Sequence, residues 1–271
     1  MVNLNIYCTT IKYYKVMEKL PPYIKPLGLG NLEYPNNWLD EKMGNNISSL
    51  NKYYAEFTGF YWIWKNQIKL FNKNDLIGNC HNRVLWLDEL YSKKKKFNSS
   101  SLYSNFLSIK NPKLLESDVI QVQPITFKNK NLFSDFEEAH KTSALKDCMS
   151  FLRTDLKKEF LNHMSGQILF PHNMFITKVK FFEEYCEVVF PWLEKCMNYC
   201  HEKKICNGYN MRMPAFLAER FTSFWFDRFK KRSLLSYARL GKFHLSNNLN
   251  NFLNTTKLPF TLSQYPTIHN F

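Results

Sequence analysis

The stretch Asn51-Lys-Tyr-Tyr-Ala-Glu-Phe-Thr-Gly-Phe-Tyr-Trp-Ile-Trp-Lys-Asn66 decides the fold, together with Asp75-Leu-Ile-Gly-Asn-Cys-His-Asn-Arg83 shortly after it. The first stretch predicts an amphipathic helix over about residues 51–71, because aromatic residues recur at three- and four-residue spacing from Tyr54 to Trp64. The second predicts a short apolar strand that ends on the polar residues His81 to Arg83. Since ligands of α/β proteins bind outside the carboxyl ends of strands, this strand end is the first candidate site.

Strand and helix patterns alternate along the rest of the chain. The predicted strands are Leu4–Thr10, Leu76–Cys80, Asp118–Gln123 and Asn173–Thr177, and further helices are predicted over 135–163, from Phe181 and from about Pro214. This alternation predicts an α/β fold with an at least partly parallel sheet. We expect one domain over residues 1–228, followed by a basic, Asn-rich extension over 229–271. That extension either lies on an anionic membrane surface or packs on the domain as a terminal helix.

The net charge of +14 over 271 residues indicates an anionic partner. Three partners compete: nucleic acid, an anionic membrane surface and a phosphorylated small substrate. No nucleic-acid-binding signature is present, so we expect no nucleic-acid partner. The run Lys93 to Lys96 is typical of a solvated loop. Glycine is scarce, and no glycine-rich phosphate-binding motif occurs.

The cysteines and the amino terminus bear on the compartment. Seven cysteines, an odd number, favour reduced thiols and a cytoplasmic location. The first residues do not form a signal peptide, and no apolar run has the ~20 residues of a membrane span. Cys196, Cys200, His201 and Cys206 lie close together, but their spacing does not match a structural zinc site, and the first two also fit a buried helix stripe.

Several segments resemble a bacterial glycosyltransferase family that acts in capsule, O-antigen and exopolysaccharide synthesis and was long described as a domain of unknown function. Tyr53–Asn66 resembles the family signature YYCELTGLYWAWKN. Further segments that resemble family motifs, in the same order, are Ile6–Lys12, Tyr23–Pro26, Met43–Ser48, Ile77–Val84, Asp118–Pro124, Glu137–His140, Asn173–Lys178 and Arg212–Arg220. The chain departs from the family pattern at Ile11, Asn45, Asn82 and Val84.

The resemblance implies a GT-A-like fold, a mixed but mostly parallel sheet flanked by helices. It implies transfer of a sugar from a nucleotide-sugar donor, with UDP as the expected nucleotide, to a capsular polysaccharide or lipid-linked glycan. Many such folds hold a metal through an Asp-x-Asp at the position of His81 to Arg83. No Asp-x-Asp stands there, so we expect no metal ligand, although Mn²⁺ or Mg²⁺ stays open as a cofactor. The basic extension would give a peripheral contact with the inner membrane.

A leaving diphosphate needs positive charge, and a guanidinium supplies it through paired hydrogen bonds. The candidate cations, in order of preference, are Arg83, Lys12, Lys65 and Arg212. The candidates for nucleotide and sugar contacts are Thr9, Thr10, Asn82 and Asn66. His81 either contacts phosphate or is a hydrogen-bonded histidine at a strand end. Each cation has an ordinary surface charge as its alternative interpretation.

An inverting reaction also needs a general base. Glu219 is the first candidate, with an ion pair to Arg220 or Arg212 as the alternative. Glu56 is the second acid, and it alternatively holds Arg83 in place. Asn173 and, less directly, His140 are candidates near the acceptor. The competing hypothesis is a catalytically inactive carbohydrate-binding homologue, and RNA binding rests on charge alone.

Overall fold

The computed structural model describes residues 2–14, 17–18, 20–88 and 106–239. The strands are β1 (Leu4–Thr10), β2 (Ile24–Gly28), β3 (Leu39–Asp40), β4 (Leu76–His81), β5 (Val84–Trp86), β6 (Val119–Val122), β7 (Ile125–Thr126), β8 (Ile168–Leu169), β9 (Phe175–Lys178), β10 (Arg232–Leu235) and β11 (Tyr237–Arg239). The α-helices are α1 (Asn51–Tyr54), α2 (Phe57–Asn66), α3 (Lys113–Glu116), α4 (Leu132–His140), α5 (Ala144–Met149), α6 (Thr154–Met164), α7 (Val179–Glu202) and α8 (Met213–Asp227). Short 3₁₀ turns lie at Ser48–Leu50, Ile68–Leu70 and Gly208–Arg212.

The main sheet has the strand order β10-β6-β9-β4-β1-β2-β3, and β5 pairs with both β4 and β11. Strand β1 is parallel to β2 and β4, and β6 is parallel to β10. Strand β9 runs antiparallel between β4 and β6. The sheet is therefore mixed and mostly parallel with helices packed on it, which confirms the predicted fold class.

Strand β1 lies in the middle of this sheet because both of its faces are apolar. All seven of its residues are buried. Successive side chains of a strand point to opposite faces. Tyr7 accordingly belongs to the larger apolar core with helices α2, α7 and α8, while Ile6 and Cys8 belong to a smaller core on the other face. A strand covered on both faces is typical of a parallel sheet.

The helix predicted over about 51–71 is broken. Helix α1 ends at Tyr54, and Ala55 adopts φ 48° before α2 begins at Phe57. The side-chain amide of Asn51 stabilises the break, since it donates to the Ala55 carbonyl at 3.0 Å and to the Thr58 hydroxyl at 2.9 Å. The break turns Ala55 and the following residue towards the carboxyl edge of the sheet.

The segment predicted as one helix over 135–163 forms α4, α5 and α6 instead. Lys141, at φ 55°, ends α4, because a left-handed residue cannot continue a right-handed helix. The carboxyl-terminal region also differs from expectation. Residues 232–239, which the sequence placed beyond a boundary at 228, form β10 and β11 of the main sheet. The lysine run at 93–96 and the Asn-rich residues beyond 239 lie outside the described residues.

None of the helices in the described ranges is long and apolar enough to span a bilayer. Cys196 and Cys200 lie on α7 and are fully buried, as the stripe interpretation predicts. His201, the next residue, packs its ring edge-on against Tyr53 at 4.9 Å. Within the described part of the chain, no three His, Cys, Asp or Glu side chains are placed to share a metal ion.

Candidate functional site

Three strand ends meet at one edge of the sheet. Strands β1 and β4 are parallel, and their register pairs Thr9 with His81. Strand β9 is antiparallel to β4, so its amino-terminal end, preceded by His172 and Asn173, reaches the same edge. Binding sites of α/β proteins lie at this carboxyl edge. The fold therefore brings together residues more than 160 positions apart in the sequence.

A cleft of about 410 Å³ opens at this edge. Its lining residues are Thr9, Thr10, Ile11, Leu29, Asn51, Lys52, Ala55, Glu56, His81, Asn82, Arg83, Val84, His172 and Arg212. Seven of the residues predicted from sequence are in this set: Thr9, Thr10, Glu56, His81, Asn82, Arg83 and Arg212. Lys12 follows the lining residue Ile11, and its side chain is exposed. The strand ends that the sequence indicated as a candidate site thus border a cleft in the structure.

Both ring nitrogens of His81 contact protein partners. Nε2 lies 2.6 Å from the carbonyl oxygen of His172, and Nδ1 lies 3.1 Å from the Thr9 hydroxyl. Because a carbonyl only accepts, Nε2 carries a proton, and Nδ1 shares the Thr9 hydroxyl with the Cys80 carbonyl, to which that hydroxyl donates at 3.2 Å. His81 therefore ties β1 and β4 to the His172 turn, and neither ring nitrogen is left for a ligand.

Two carboxylates are attached to adjacent residues of that turn. Glu56 accepts a hydrogen bond of 2.7 Å from the side-chain amide of Asn173. Glu219, on α8, accepts one of 2.8 Å from the backbone N–H of His172. The turn residues have φ 70° and φ 52°, a left-handed conformation that non-glycine residues seldom adopt. Strain of this kind clusters at functional sites, where the surrounding structure maintains it.

The two carboxylates differ in their environment. Glu56 lines the cleft, whereas Glu219 is not among the described lining residues and contacts the backbone of one of them, His172. Burial raises the pKa of the Glu219 carboxyl above its usual value, and the charge of Glu56 adds to this shift. Arg220 and the His172 N–H oppose the shift. Both glutamates are half-buried, and of the two it is Glu56 that belongs to the cleft lining.

The charged lining of the cleft is mostly cationic. Lys52, Arg83 and Arg212 line it and are exposed, and Glu56 is the one acidic residue in the described part of its lining. Within the described ranges, none of the three cations has an acidic partner. Lys52 lies over the Tyr53 ring at 4.7 Å and Arg212 over the Phe216 ring at 5.6 Å. A cleft lined by one sign of charge concentrates ligands of the opposite sign.

Four residues predicted as site residues lie elsewhere. Lys65 rests 3.1 Å from the centre of the Trp64 ring, and Asn66 bonds the backbone of Asn45 at 3.0 and 2.8 Å. Arg220 is buried and forms an ion pair of 2.6 Å with Asp135. His140 is also buried, and its Nδ1 lies 3.2 Å from the side-chain oxygen of Asn210. Asn173 lies one contact from the cleft, through Glu56.

The sequence did not single out Lys52, Asn51 or His172, although all three line the cleft. Lys52 and Asn51 begin the aromatic segment, and their role depends on the unpredicted break at Ala55. His172 carried a usable signal, because the polar pair His172-Asn173 directly precedes an apolar strand, as His81 directly ends another.

The sheet order, the flanking helices and the cleft at the carboxyl edge define a GT-A-like α/β fold. The solved apo structure of WbbM, a bifunctional glycosyltransferase, is similar, with a TM-score of 0.74 and 18% sequence identity. The match covers 89% of this chain and 46% of the WbbM chain, so the chain spans about half the length of that protein. Comparison with curated proteins gives no match.

The chain belongs to the family described as a domain of unknown function, DUF4422, whose model matches residues 5–231. The match ends at residue 231, directly before β10, so it includes neither β10 nor β11. It spans the whole cleft, from Thr9 to Arg212.

Proposed function

We propose that this chain is a glycosyltransferase that moves a sugar from a nucleotide-sugar donor to a glycan acceptor. The observation that carries the proposal lies in a cleft at the edge of a GT-A-like sheet: among the described residues, its lining has one carboxylate, Glu56, and cations without acidic partners. The structural likeness to a bifunctional glycosyltransferase supports the same class of reaction.

The cations are suited to the leaving group. A nucleoside diphosphate gains negative charge as the bond to the sugar breaks, and positioned donors stabilise that charge in the transition state. Arg83, directly after β4, offers a planar guanidinium for bidentate contact with phosphate. Arg212 and Lys52 face the same cleft, and Lys12 lies beside it.

Glu56 is suited to the proton transfer. In an inverting reaction, a carboxylate within hydrogen-bond reach of the acceptor hydroxyl takes its proton as the new bond forms. The side chain of Asn173 holds one oxygen of Glu56, which leaves the other for the acceptor. Glu219, the sequence's first candidate for this role, is proposed to hold the His172 turn that carries Asn173.

The donor atoms of the cleft do not fit a divalent metal. Its described lining has three cations and one carboxylate, and both nitrogens of His81 are engaged with protein groups. The proposed stabilisation of the diphosphate therefore comes from the chain's own cations.

Finer assignments rest on the motif resemblance. We propose a UDP-linked donor, a capsular or other surface polysaccharide or lipid-linked acceptor, and a cytoplasmic site of action. Peripheral contact with an anionic membrane is proposed for the basic region after α8. There Lys230 and Lys231 are exposed, whereas Arg228 forms an ion pair with Glu159 at 3.0 Å.

The test is calorimetric titration of the protein with a panel of nucleoside diphosphates and nucleotide sugars. We expect binding of at least one, and a loss of about tenfold to a hundredfold in its affinity in Arg83→Ala, since hydrogen bonds to charged groups contribute about 1.5–3 kcal/mol. Arg228→Ala is the matched control, because it removes an arginine far from the cleft lining, and its affinity should equal that of the wild type.

Failure of every nucleotide and nucleotide sugar to bind would overturn the transferase proposal. Nucleotide-independent binding of a glycan would then favour the inactive carbohydrate-binding homologue. One observation favours this second function: Ile11, an exposed apolar residue, lines the cleft at one of the positions that depart from the family pattern.

A further inference from the structure

We infer that Tyr209 is a stacking platform for a pyranose ring of the acceptor glycan. This inference rests on the proposed function and adds to it the place where the acceptor binds. Tyr209 lies in the 3₁₀ turn Gly208–Arg212, which precedes α8. Its side chain is 52% exposed, although tyrosine rings usually bury most of their apolar surface.

The ring of Tyr209 is held rigidly from behind. It stacks on the His140 ring, with centroids 5.6 Å apart and 15° between the planes. It also stacks on Phe216 at 5.3 Å and 26°, and the His140 and Phe216 rings are themselves 4.4 Å apart. Two rings therefore pack against one face of the Tyr209 ring. They hold the ring in one orientation, and its remaining surface is open to solvent.

The turn is fixed by hydrogen bonds as well as by stacking. The side chain of Asn210 donates to the His140 carbonyl at 2.9 Å, and its oxygen lies 3.2 Å from His140 Nδ1. The turn is thus attached to the end of α4 through both the backbone and the side chain of one residue. A ring that is ordered before binding loses little entropy when a ligand stacks on it.

The position of Tyr209 relates it to the cleft. In a 3₁₀ turn, side chains three residues apart lie above one another on the same side, and each residue rises about 2 Å. Tyr209 and Arg212 are three residues apart, and Arg212 lines the cleft. The backbone of Tyr209 is therefore displaced along the turn by roughly 6 Å from that of a cleft residue. The turn also packs against α1, whose break presents Glu56.

A pyranose is the occupant that this arrangement favours. One face of such a ring presents C–H groups that pack on a flat aromatic surface, while its rim of hydroxyls needs hydrogen-bonding partners. The Tyr209 ring supplies the flat surface, and the neighbouring guanidinium of Arg212 supplies donors. A sugar stacked here would extend towards Glu56, the proposed base. A nucleoside base can also stack on an aromatic ring, so the test distinguishes the two occupants.

The experiment uses the full chain labelled with 3-fluorotyrosine and follows its fluorine NMR spectrum. The Tyr209 resonance is the one that disappears in Tyr209→Phe. The probes are the methyl pyranosides of glucose, galactose, mannose and N-acetylglucosamine, with the open-chain polyol sorbitol and the nucleoside uridine as controls. We expect a saturable shift of the Tyr209 resonance with at least one pyranoside and none with sorbitol or uridine.

Variants test the role of the ring separately from the donor. Tyr209→Ala should weaken pyranoside binding about tenfold, while Tyr209→Phe, which keeps the ring, should retain it. Leu115→Ala, at a residue 70% exposed on α3, is the control for truncation of an exposed apolar side chain. Nucleotide affinity, measured by the calorimetric titration above, should be unchanged in all three.

The outcomes separate this inference from the proposed function. A chain that binds nucleotide sugars but shows no pyranoside-dependent shift of Tyr209 overturns the platform and leaves the transferase proposal standing. A shift caused by uridine, or a loss of nucleotide affinity in Tyr209→Ala, would instead make Tyr209 part of the donor site and overturn the inference. A pyranoside-dependent shift without any nucleotide binding supports the platform and contradicts the transferase.

Discussion

The cleft at the sheet edge and a second cavity between α6, α7 and α8 are both lined by charged residues, yet their charges are arranged differently. The second cavity has a volume of about 300 Å³ and shares no lining residue with the cleft. In it, both arginines are paired, Arg228 with Glu159 at 3.0 Å and Arg153 with Asp155 at 3.0 Å, while Glu187 and Lys195 form no ion pair within the described ranges. In the cleft, the cations have no acidic partners within the described ranges.

The backbone differs in the same way. The cleft lining includes Ala55 and His172, both at positive φ, and Asn173 follows directly. None of the described lining residues of the second cavity has a positive φ. Paired charges on regular helices are accounted for by folding alone. Charges on a strained edge that have no acidic partner within the described ranges are not accounted for by folding alone. This contrast is the physical reason for placing the function in the cleft.

The largest expected effect is on turnover, and it compares an acid from each region. Glu56→Gln keeps an oxygen that accepts from Asn173 but removes the proposed base, so acceptor-dependent release of nucleotide should fall about 10²- to 10⁴-fold. Glu159→Gln, in the second cavity, should leave the rate unchanged and cost at most about 1 kcal/mol of stability. Initial rates at saturating donor measure both.

The same assay also distinguishes Glu56 from Glu219, the other candidate base. Nucleotide affinity should survive in Glu56→Gln, because the cations are untouched. If Glu56→Gln turns over normally while Glu219→Gln does not, the base is Glu219, and the reachability argument from the cleft lining fails.

The next effect is on stability, and here we expect two buried histidines, His140 and His163, to behave alike. Burial lowers the pKa of His140, beside the Tyr209 turn, to about 4, and it does the same for His163, between α6 and α8. Asp227 lies 3.3 Å from His163, but Arg232 also binds this carboxylate and compensates its charge. Both histidines are therefore neutral in the folded protein at neutral pH.

The sign follows from proton linkage. The unfolded histidines, with a pKa near 6.5, bind protons more readily than the folded ones, so stability falls as the pH is lowered from about 6.5 towards 4. A shift of this size corresponds to a loss on the order of 3 kcal/mol for each histidine. Urea unfolding across this pH range should show a shallower slope in His140→Gln and in His163→Gln. An unchanged slope in either variant would show that its histidine titrates normally when folded.

The sequence could predict those parts of the fold that depend on local pattern. Strand β4 ends at His81 as its apolar run indicates, and Tyr54 and Phe57 are buried as their spacing requires. The mixed, mostly parallel sheet followed from the alternation of elements and the family resemblance. Of the candidate site, the strand-end residues Thr9, Thr10, His81, Asn82 and Arg83 lie together in the cleft.

What the sequence could not predict depends on contacts between distant residues. The break at Ala55 comes from the side chain of Asn51, and no glycine or proline marks it. Glu219 and Arg220 are adjacent on α8, and the sequence does not show which partner each of them has. In the structure, Arg220 binds Asp135, 85 positions away, while Glu219 accepts from the His172 turn. Pairings at such separation are set by the sheet order, which no local pattern encodes.

The smallest expected effect compares two lysines that both lie over aromatic rings. Lys65 rests on Trp64 outside the cleft, and Lys52 rests on Tyr53 and lines it. Lys65→Ala should lower the free energy of unfolding by about 0.5–1 kcal/mol, the usual contribution of an exposed cation–π contact, and leave nucleotide affinity unchanged. Lys52→Ala should cost a similar amount of stability but also weaken nucleotide binding, because its charge faces the cleft. Urea unfolding and calorimetric titration of both variants measure the two quantities separately. Equal nucleotide affinity in the two variants would mean that position in the cleft does not decide which cations bind the ligand, and the contrast between paired and unpaired charges would lose its functional meaning.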